Sequence, residues 1–206
     1  MSECHSVFDF ALPIHEFKLD DWEEKKKYIM ELLPSDKECK PVEFDLTTET
    51  LNTNYWSKDA YAPKYERLPE LFRPELDELM KRECCEGWHT QGLPWYEIAD
   101  KGQYHAMHTH GPTGFVAVCY VKYDKYEHDP ISFIAPFHDP VSGGQLSYTP
   151  ELEEGMLIFF PALLIHATTP NRSNERRICI SFNVELTGNR KVSYTPKEQK
   201  EHIEGH

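Results

Sequence analysis

The chain has 206 residues, of which 39% are hydrophobic and 28% charged, a composition typical of a globular domain with its own core. Its formal net charge of −13 disfavours partners with a phosphate backbone, so we expect no nucleic-acid partner. No run of about 18 apolar residues occurs, so we expect no membrane span. The polar N-terminus lacks the apolar centre of a signal peptide, and the six cysteines show no CxxC spacing. These features predict reduced thiols and a cytoplasmic location.

The N-terminal part of the chain carries two predicted helices. Residues 19–33 form the first, with Asp20 or Asp21 as its cap and Pro34 as its stop. Residues 74–82 form the second, which has a proline near its start and basic residues near its end.

The pattern changes near residue 93, where short apolar runs begin to alternate with turn residues. This spacing is typical of an antiparallel sandwich or small barrel. The predicted strands are 95–99, 104–110, 115–121, 131–135, 145–149, 156–160, 164–167 and 177–184. We therefore predict a mainly β fold with flanking helices in a single domain, 1–206. Its parts would be a helical and irregular segment that covers the sheet (1–92), a β core (93–187) and a polar tail (188–206).

Three histidines crowd into six residues, at positions 105, 108 and 110. Because side chains at i and i+2 of a strand share a face, His108 and His110 should project together, while His105 points away unless a bulge intervenes. Two imidazoles on one face are half of a metal site for iron, zinc, nickel or copper. His166, which follows a strongly apolar run, is the best candidate for a third ligand, although a lone histidine there could also be a buried core residue. Two other histidines in a polar stretch are interpreted as surface residues: His128 and His138.

Arg177 begins the last predicted strand and shares a face with two small residues, Cys179 and Ser181. Bulky apolar residues occupy the opposite face of that strand. A guanidinium with room around it requires an anion, and a carboxylate bound through two hydrogen bonds would satisfy it. The alternative is a surface arginine at the end of the strand, paired with a nearby glutamate.

The chemistry-bearing motifs follow one another in a fixed order between residues 95 and 185. They are HxxHxH at 105–110, EGMLIFFP at 154–161, His166, Pro-Asn at 170–171 and RICISFN at 177–183. This ordered set resembles the iron(II)- and 2-oxoglutarate-dependent oxygenases. More narrowly, it is similar to a branch with the HxxHxH…H…R pattern that is found in marine bacteria and tailed phages.

The resemblance implies a double-stranded β-helix, the jelly-roll or cupin-like fold. It places His108, His110 and His166 at the metal positions, and leaves open whether His105 replaces one of the first two. Iron(II) would be the metal, and the resemblance implies no catalytic residue beyond its ligands.

The resemblance also implies a basic residue about ten positions after the last histidine that binds the far carboxylate of 2-oxoglutarate. Arg177 lies eleven positions after His166 and Arg176 ten, and strand parity favours Arg177. Tyr120, or alternatively Tyr104, could add a hydroxyl to the cosubstrate.

Two positions depart from the pattern that the resemblance implies. The usual site has two histidines and one carboxylate, whereas this chain has His110 at the carboxylate position. Three neutral imidazoles leave a divalent site at +2 rather than +1. In addition, Cys179 stands where related sequences often have a serine, so one hydrogen bond to the cosubstrate could be missing.

The function implied by the resemblance is that of a dioxygenase that uses O₂ and 2-oxoglutarate, hydroxylates an unknown peptide, amino acid or small molecule, and releases succinate and CO₂. One alternative is a cupin-type metal enzyme without 2-oxoglutarate, although the glutamate expected soon after HxH is absent from residues 111–115. Another is a non-catalytic jelly-roll binding module. Whether the chain forms a homodimer is left open.

Overall fold

The computed structural model describes residues 12–35, 39, 51–55, 65, 67–87 and 89–187, which form two β-sheets with helices against one of them. The helices are α1 (Trp22–Leu32), α2 (Leu68–Leu71) and α3 (Arg73–Arg82). The strands are β1 (His15–Lys18), β2 (Asn52–Thr53), β3 (His89–Gln91), β4 (Trp95–Ala99), β5 (Phe115–Lys122), β6 (Ile131–His138), β7 (Gln145–Tyr148), β8 (Met156–Pro161), β9 (Ile165–Thr168) and β10 (Arg177–Leu186). The polar tail predicted for 188–206 lies outside the described residues.

The strands pair antiparallel in two sheets that face each other. In the larger sheet the order is β1-β8-β5-β10-β4-β2, and β3 also pairs with β10; the smaller sheet has the order β7-β6-β9. A buried cluster fills the space between the sheets, including Val118, Phe133, Ile158 and Phe160. This arrangement confirms the predicted double-stranded β-helix with flanking helices.

β5 shows why a central strand reads as a continuous apolar run. Val116, Val118 and Tyr120 belong to the cluster between the sheets, while Ala117 and Cys119 belong to a second cluster on the helical side. Because both faces of the strand are covered, both sets of alternating side chains are apolar.

The helices pack on the outer face of the larger sheet. Phe72, between α2 and α3, stacks on Phe182 of β10 with ring centroids 5.5 Å apart, and Leu76 and Leu79 of α3 are fully buried in the same cluster. The helix predicted at 19–33 is present but begins at Trp22, after Asp21, which adopts a left-handed conformation without a side-chain cap. Among the helices in the described part of the chain, none combines the length and apolarity needed to cross a membrane.

The predicted strand at 104–110 is wrong, because this segment makes only an isolated bridge between His108 and His166. Gly102 and Gly111, both with positive φ, bracket an irregular segment instead of a continuous ladder. Its backbone contacts the region around β9 at separate points: Thr168 N donates to His105 O at 2.9 Å, and His110 N donates to Ala162 O at 2.9 Å. The short strands β1, β2 and β3 were not predicted from the sequence.

Candidate metal and cosubstrate site

The irregular segment and β9 bring three histidines together. His108 and His166 exchange two backbone hydrogen bonds, of 3.0 and 3.1 Å, which places their side chains next to each other. His110 is held by the next hydrogen bond of this segment, from its backbone N–H to the carbonyl oxygen of Ala162. The candidate ligand atoms of His108, His110 and His166 all lie within 4.8 Å of one another.

The orientation of the rings suits a divalent metal ion. The Nδ1 atoms of His108 and His166 lie 2.6 and 2.8 Å from the carbonyl oxygens of Ala106 and Leu164. A ring that donates Nδ1–H to a carbonyl has its lone pair on Nε2, which is the common arrangement of a metal-binding histidine. The Nε2 atoms of His108 and His110 are 3.1 Å apart. Two nitrogens that each lie about 2.1 Å from one ion at a right angle would be about 3.0 Å apart, so the donor set fits the ion.

Two of the three imidazoles are held neutral by their surroundings. Burial, and then the neighbouring His108, lower the pKa of His166 to about 3. The same two causes, in the same order, lower the pKa of His110 to about 4. A histidine must be deprotonated to bind a metal, so these two side chains are ready to do so at neutral pH.

His105 lies outside this group of three. Its Nδ1 is 3.3 Å from Oε2 of Glu97, and its ring stacks on that of His108 with centroids 3.9 Å apart. His105 therefore packs beside a candidate ligand rather than among the candidate ligands.

Arg177 reaches into the space between the two sheets and is only 4% exposed. Its Nη1 donates to the carbonyl oxygen of Asp129 at 2.9 Å, and its Nη2 donates to Oγ1 of Thr168 at 2.8 Å. Both acceptors are neutral, and no carboxylate within residues 12–35, 51–55, 67–87 and 89–187 forms an ion pair with this guanidinium. A buried cation is thus left without a counter-ion in this part of the chain.

Arg176 points the other way. Its Nε and Nη2 donate to the two carboxylate oxygens of Asp100, at 2.6 and 3.2 Å. That guanidinium already has a bidentate anion, and it does not line the cavity described next.

A narrow cavity joins the three histidines to Arg177. Tyr120 also lines it, and the backbone N–H of Ile131 donates to the Tyr120 hydroxyl oxygen at 3.3 Å. Burial raises the pKa of this phenol well above its usual value. Tyr104, the alternative hydroxyl, is not among the lining residues. We call this space the inner chamber.

A second space, the outer chamber, adjoins the inner chamber at the histidines. The residues that line both chambers are Leu51, Glu97, His105, His108 and His110. Tyr55 and Trp95 form an aromatic wall of the outer chamber, with ring centroids 4.8 Å apart.

Sequence reasoning missed Glu97 and misplaced His128. The parity of β4 could have revealed Glu97, because a charged residue that shares its strand face with Trp95 and Ala99 points inward. The interpretation of His128 as a surface residue is wrong, since it is 4% exposed. Its Nδ1 accepts from the backbone N–H of Asp124, and its Nε2 lies 3.0 Å from the carbonyl oxygen of Glu175, so it fastens two loops.

The β core is similar to a known protein family. A family model described as "Putative 2OG-Fe(II) oxygenase", where 2OG is 2-oxoglutarate, matches residues 94–183. No curated protein matches the sequence.

Solved structures of 2-oxoglutarate enzymes share the fold at low sequence identity. A prolyl-4-hydroxylase from Pseudomonas putida is 12% identical, with a TM-score of 0.60 over 85% of this chain and 93% of its own. The viral collagen prolyl hydroxylase of Paramecium Bursaria Chlorella virus-1, in a 2OG complex, is 13% identical, with a TM-score of 0.56 over 84% of this chain and 96% of its own. The epimerase SnoN, in complex with Fe³⁺, alpha ketoglutarate and nogalamycin RO, is 15% identical, with a TM-score of 0.61 over 89% of this chain and 88% of its own.

Proposed function

We propose that this chain is an iron(II)- and 2-oxoglutarate-dependent oxygenase, because the family model of that description matches residues 94–183, and we assign a role to each residue of the site. His108, His110 and His166 hold the iron. Arg177 binds the far carboxylate of 2-oxoglutarate, and Tyr120 assists it. With both groups bound, the chemistry they supply turns 2-oxoglutarate and O₂ into succinate and CO₂ and hydroxylates a C–H bond of the substrate.

The observation that carries this proposal is the buried guanidinium of Arg177. A charge taken out of water costs several kcal/mol unless an opposite charge compensates for it. Arg177 faces a cavity, and its two protein acceptors are neutral oxygens. A dicarboxylate that reaches from the histidines to Arg177 would supply the missing anion. A cupin without 2-oxoglutarate or a binding module would need another anionic ligand to compensate for this cation.

Tyr120 is suited to donate a hydrogen bond to the same carboxylate. Its oxygen already accepts from Ile131, which leaves its own proton free to point into the inner chamber. Its raised pKa keeps that proton in place at neutral pH. The hydroxyl can therefore donate to an anion without becoming one.

The remaining walls of the inner chamber exclude water. Val116, Val118 and Ile131 line it and are between 1% and 9% exposed. A dry wall strengthens the hydrogen bonds and charge interactions inside the chamber. The substrate, a peptide, an amino acid or another small molecule, would approach the histidines through the outer chamber.

The finer features of the proposal rest on the sequence. The motif order supports membership of the HxxHxH…H…R branch of marine bacteria and tailed phages. Cys84, Cys119 and Cys179 form no disulfide with any described residue, which supports a location in the reducing cytoplasm. A single domain over 1–206 stays a prediction, and whether the chain forms a homodimer stays open.

Two measurements test the proposal. We expect the purified chain to bind one Fe(II) or Mn(II) without oxygen and then to bind 2-oxoglutarate only when the metal is present. We also expect succinate release that requires Fe(II), 2-oxoglutarate and O₂. His166→Ala should abolish metal binding, whereas His138→Ala, at an exposed position of β6, should not. Binding of 2-oxoglutarate that is independent of metal would refute the assignment.

A further inference from the structure

Glu97 is the one acidic side chain among the described residues that line the two chambers. It lies on β4 opposite Cys179 of β10, and its side chain is 16% exposed. Trp95 Nε1 donates to its Oε1 at 2.9 Å, and His105 Nδ1 lies 3.3 Å from its Oε2. Each carboxylate oxygen of Glu97 thus has a neighbouring side chain that orients it.

Each partner of Glu97 packs against one of the proposed metal ligands. The His105 ring stacks on His108 at 3.9 Å, with 21° between the ring planes. The Trp95 ring stacks on His110 at 5.8 Å, with 19° between the planes. The carboxylate therefore lies directly behind the rings that orient two of the three imidazoles.

The three-histidine set lacks one negative charge compared with the usual site. Two histidines and a carboxylate reduce a divalent ion to a net charge of +1, whereas three neutral imidazoles leave it at +2. A glutamate is normally ionised at neutral pH, and the hydrogen bond that Trp95 Nε1 donates to Oε1 favours the ionised form of Glu97. A half-buried negative charge thus lies beside a site that is short of one.

We propose that Glu97 supplies, from outside the coordination shell, the negative charge that the three-histidine site lacks, and so raises its affinity for a divalent cation. Glu97 is a positioning residue. It acts through the rings of His105 and Trp95 and through the electrostatic attraction of its carboxylate for the cation. The inference rests on the proposed metal site. It also accounts for a half-buried carboxylate in the wall shared by the two chambers.

The first test is a titration of the full chain with Mn(II) in the absence of oxygen, with the heat of binding measured by calorimetry. Loss of an outer-shell partner typically weakens metal affinity about 10- to 100-fold, and we expect a loss in this range for Glu97→Gln. The matched control is Glu175→Gln, which removes an exposed carboxylate paired with Lys122 and should leave the affinity unchanged. Glu97→Asp keeps the charge and should retain most of the affinity.

The second test separates charge from structure. In a His110→Asp background the coordination shell regains its own carboxylate, so Glu97→Gln should then weaken Mn(II) binding by less than about threefold, because the outer charge is no longer needed. An equal loss in both backgrounds, or an equal loss for Glu97→Asp and Glu97→Gln, would overturn the charge role.

The possible failures can be told apart. If the wild-type chain binds no Mn(II), the proposed metal site is wrong. If the wild-type chain binds Mn(II) and Glu97→Gln binds it equally well, only the inference about Glu97 fails. Circular dichroism and thermal unfolding of each variant identify any that does not fold, and Glu97→Asp then carries the comparison.

Discussion

Replacing Arg177 with methionine should separate cosubstrate binding from folding. Among the described residues, the acceptors of this guanidinium are a backbone carbonyl and the Thr168 hydroxyl. An uncompensated buried charge costs several kcal/mol, so its removal offsets the loss of two hydrogen bonds to neutral acceptors. We therefore expect the free energy of unfolding of Arg177→Met to change by less than about 1 kcal/mol.

Binding of 2-oxoglutarate should suffer far more. Loss of one partner of a buried charge pair costs about 2–5 kcal/mol, and about 3 kcal/mol corresponds to a roughly 100-fold weaker Kd. At a concentration of 100 times the wild-type Kd, ligand stabilises the wild type by about 2.7 kcal/mol and such a variant by only about 0.4 kcal/mol. For a chain of this size these values correspond to Tm increases of about 5–11 °C and about 1 °C.

The assay is thermal unfolding with saturating Mn(II), with and without 2-oxoglutarate. Arg176→Met is the matched control, because Arg176 already pairs with Asp100 and should lose none of the Tm increase. If Arg176→Met loses the 2-oxoglutarate response and Arg177→Met keeps it, the assignment of the cosubstrate cation is wrong.

Three further predictions concern stability. The pKa values of His110 and His166, about 4 and about 3 in the folded protein, lie below the unfolded value of about 6.5, so the unfolded chain binds more protons as the pH falls below 6.5. The metal-free protein should lose up to about 4 kcal/mol between pH 7 and pH 5, and urea unfolding with the same midpoint at both pH values would contradict this. Gly114→Ala should destabilise by about 2–4 kcal/mol in chemical unfolding, because Gly114 has a φ of +89° and an added Cβ would clash with the carbonyl oxygen of Val184; an unchanged midpoint would show that the turn can relax. Phe182→Ala should cost about 3–5 kcal/mol by the same measurement, because Phe182 is fully buried between Phe72 and Phe159, and a loss below 1 kcal/mol would show that the core repacks.

Much of the β core could be predicted because its pattern is local. Alternation in RICISFN placed Ile178 and Phe182 on one face of β10 and Arg177 and Ser181 on the other, and the structure agrees. Residues 95–99 were predicted to be a strand, and β4 has the same bounds. In both strands the alternation is set by burial on either side of the chain, which the sequence records residue by residue.

The arrangement of the site depended on pairing between distant segments. The residues from His105 to His110 have no strand periodicity of their own, since their backbone bonds to β9 at separate points. Only that pairing decides that His105 turns to Glu97 while His108 and His110 join His166.

The amino-acid sequence by itself determined which residue types were present, in which order, and on which face of each regular strand. Only the tertiary structure decided which of two adjacent arginines was left with a buried charge and which carboxylate came to lie behind the histidines. The physical reason is that periodicity acts over neighbouring residues, whereas desolvation and charge pairing depend on whatever the fold brings within a few ångströms.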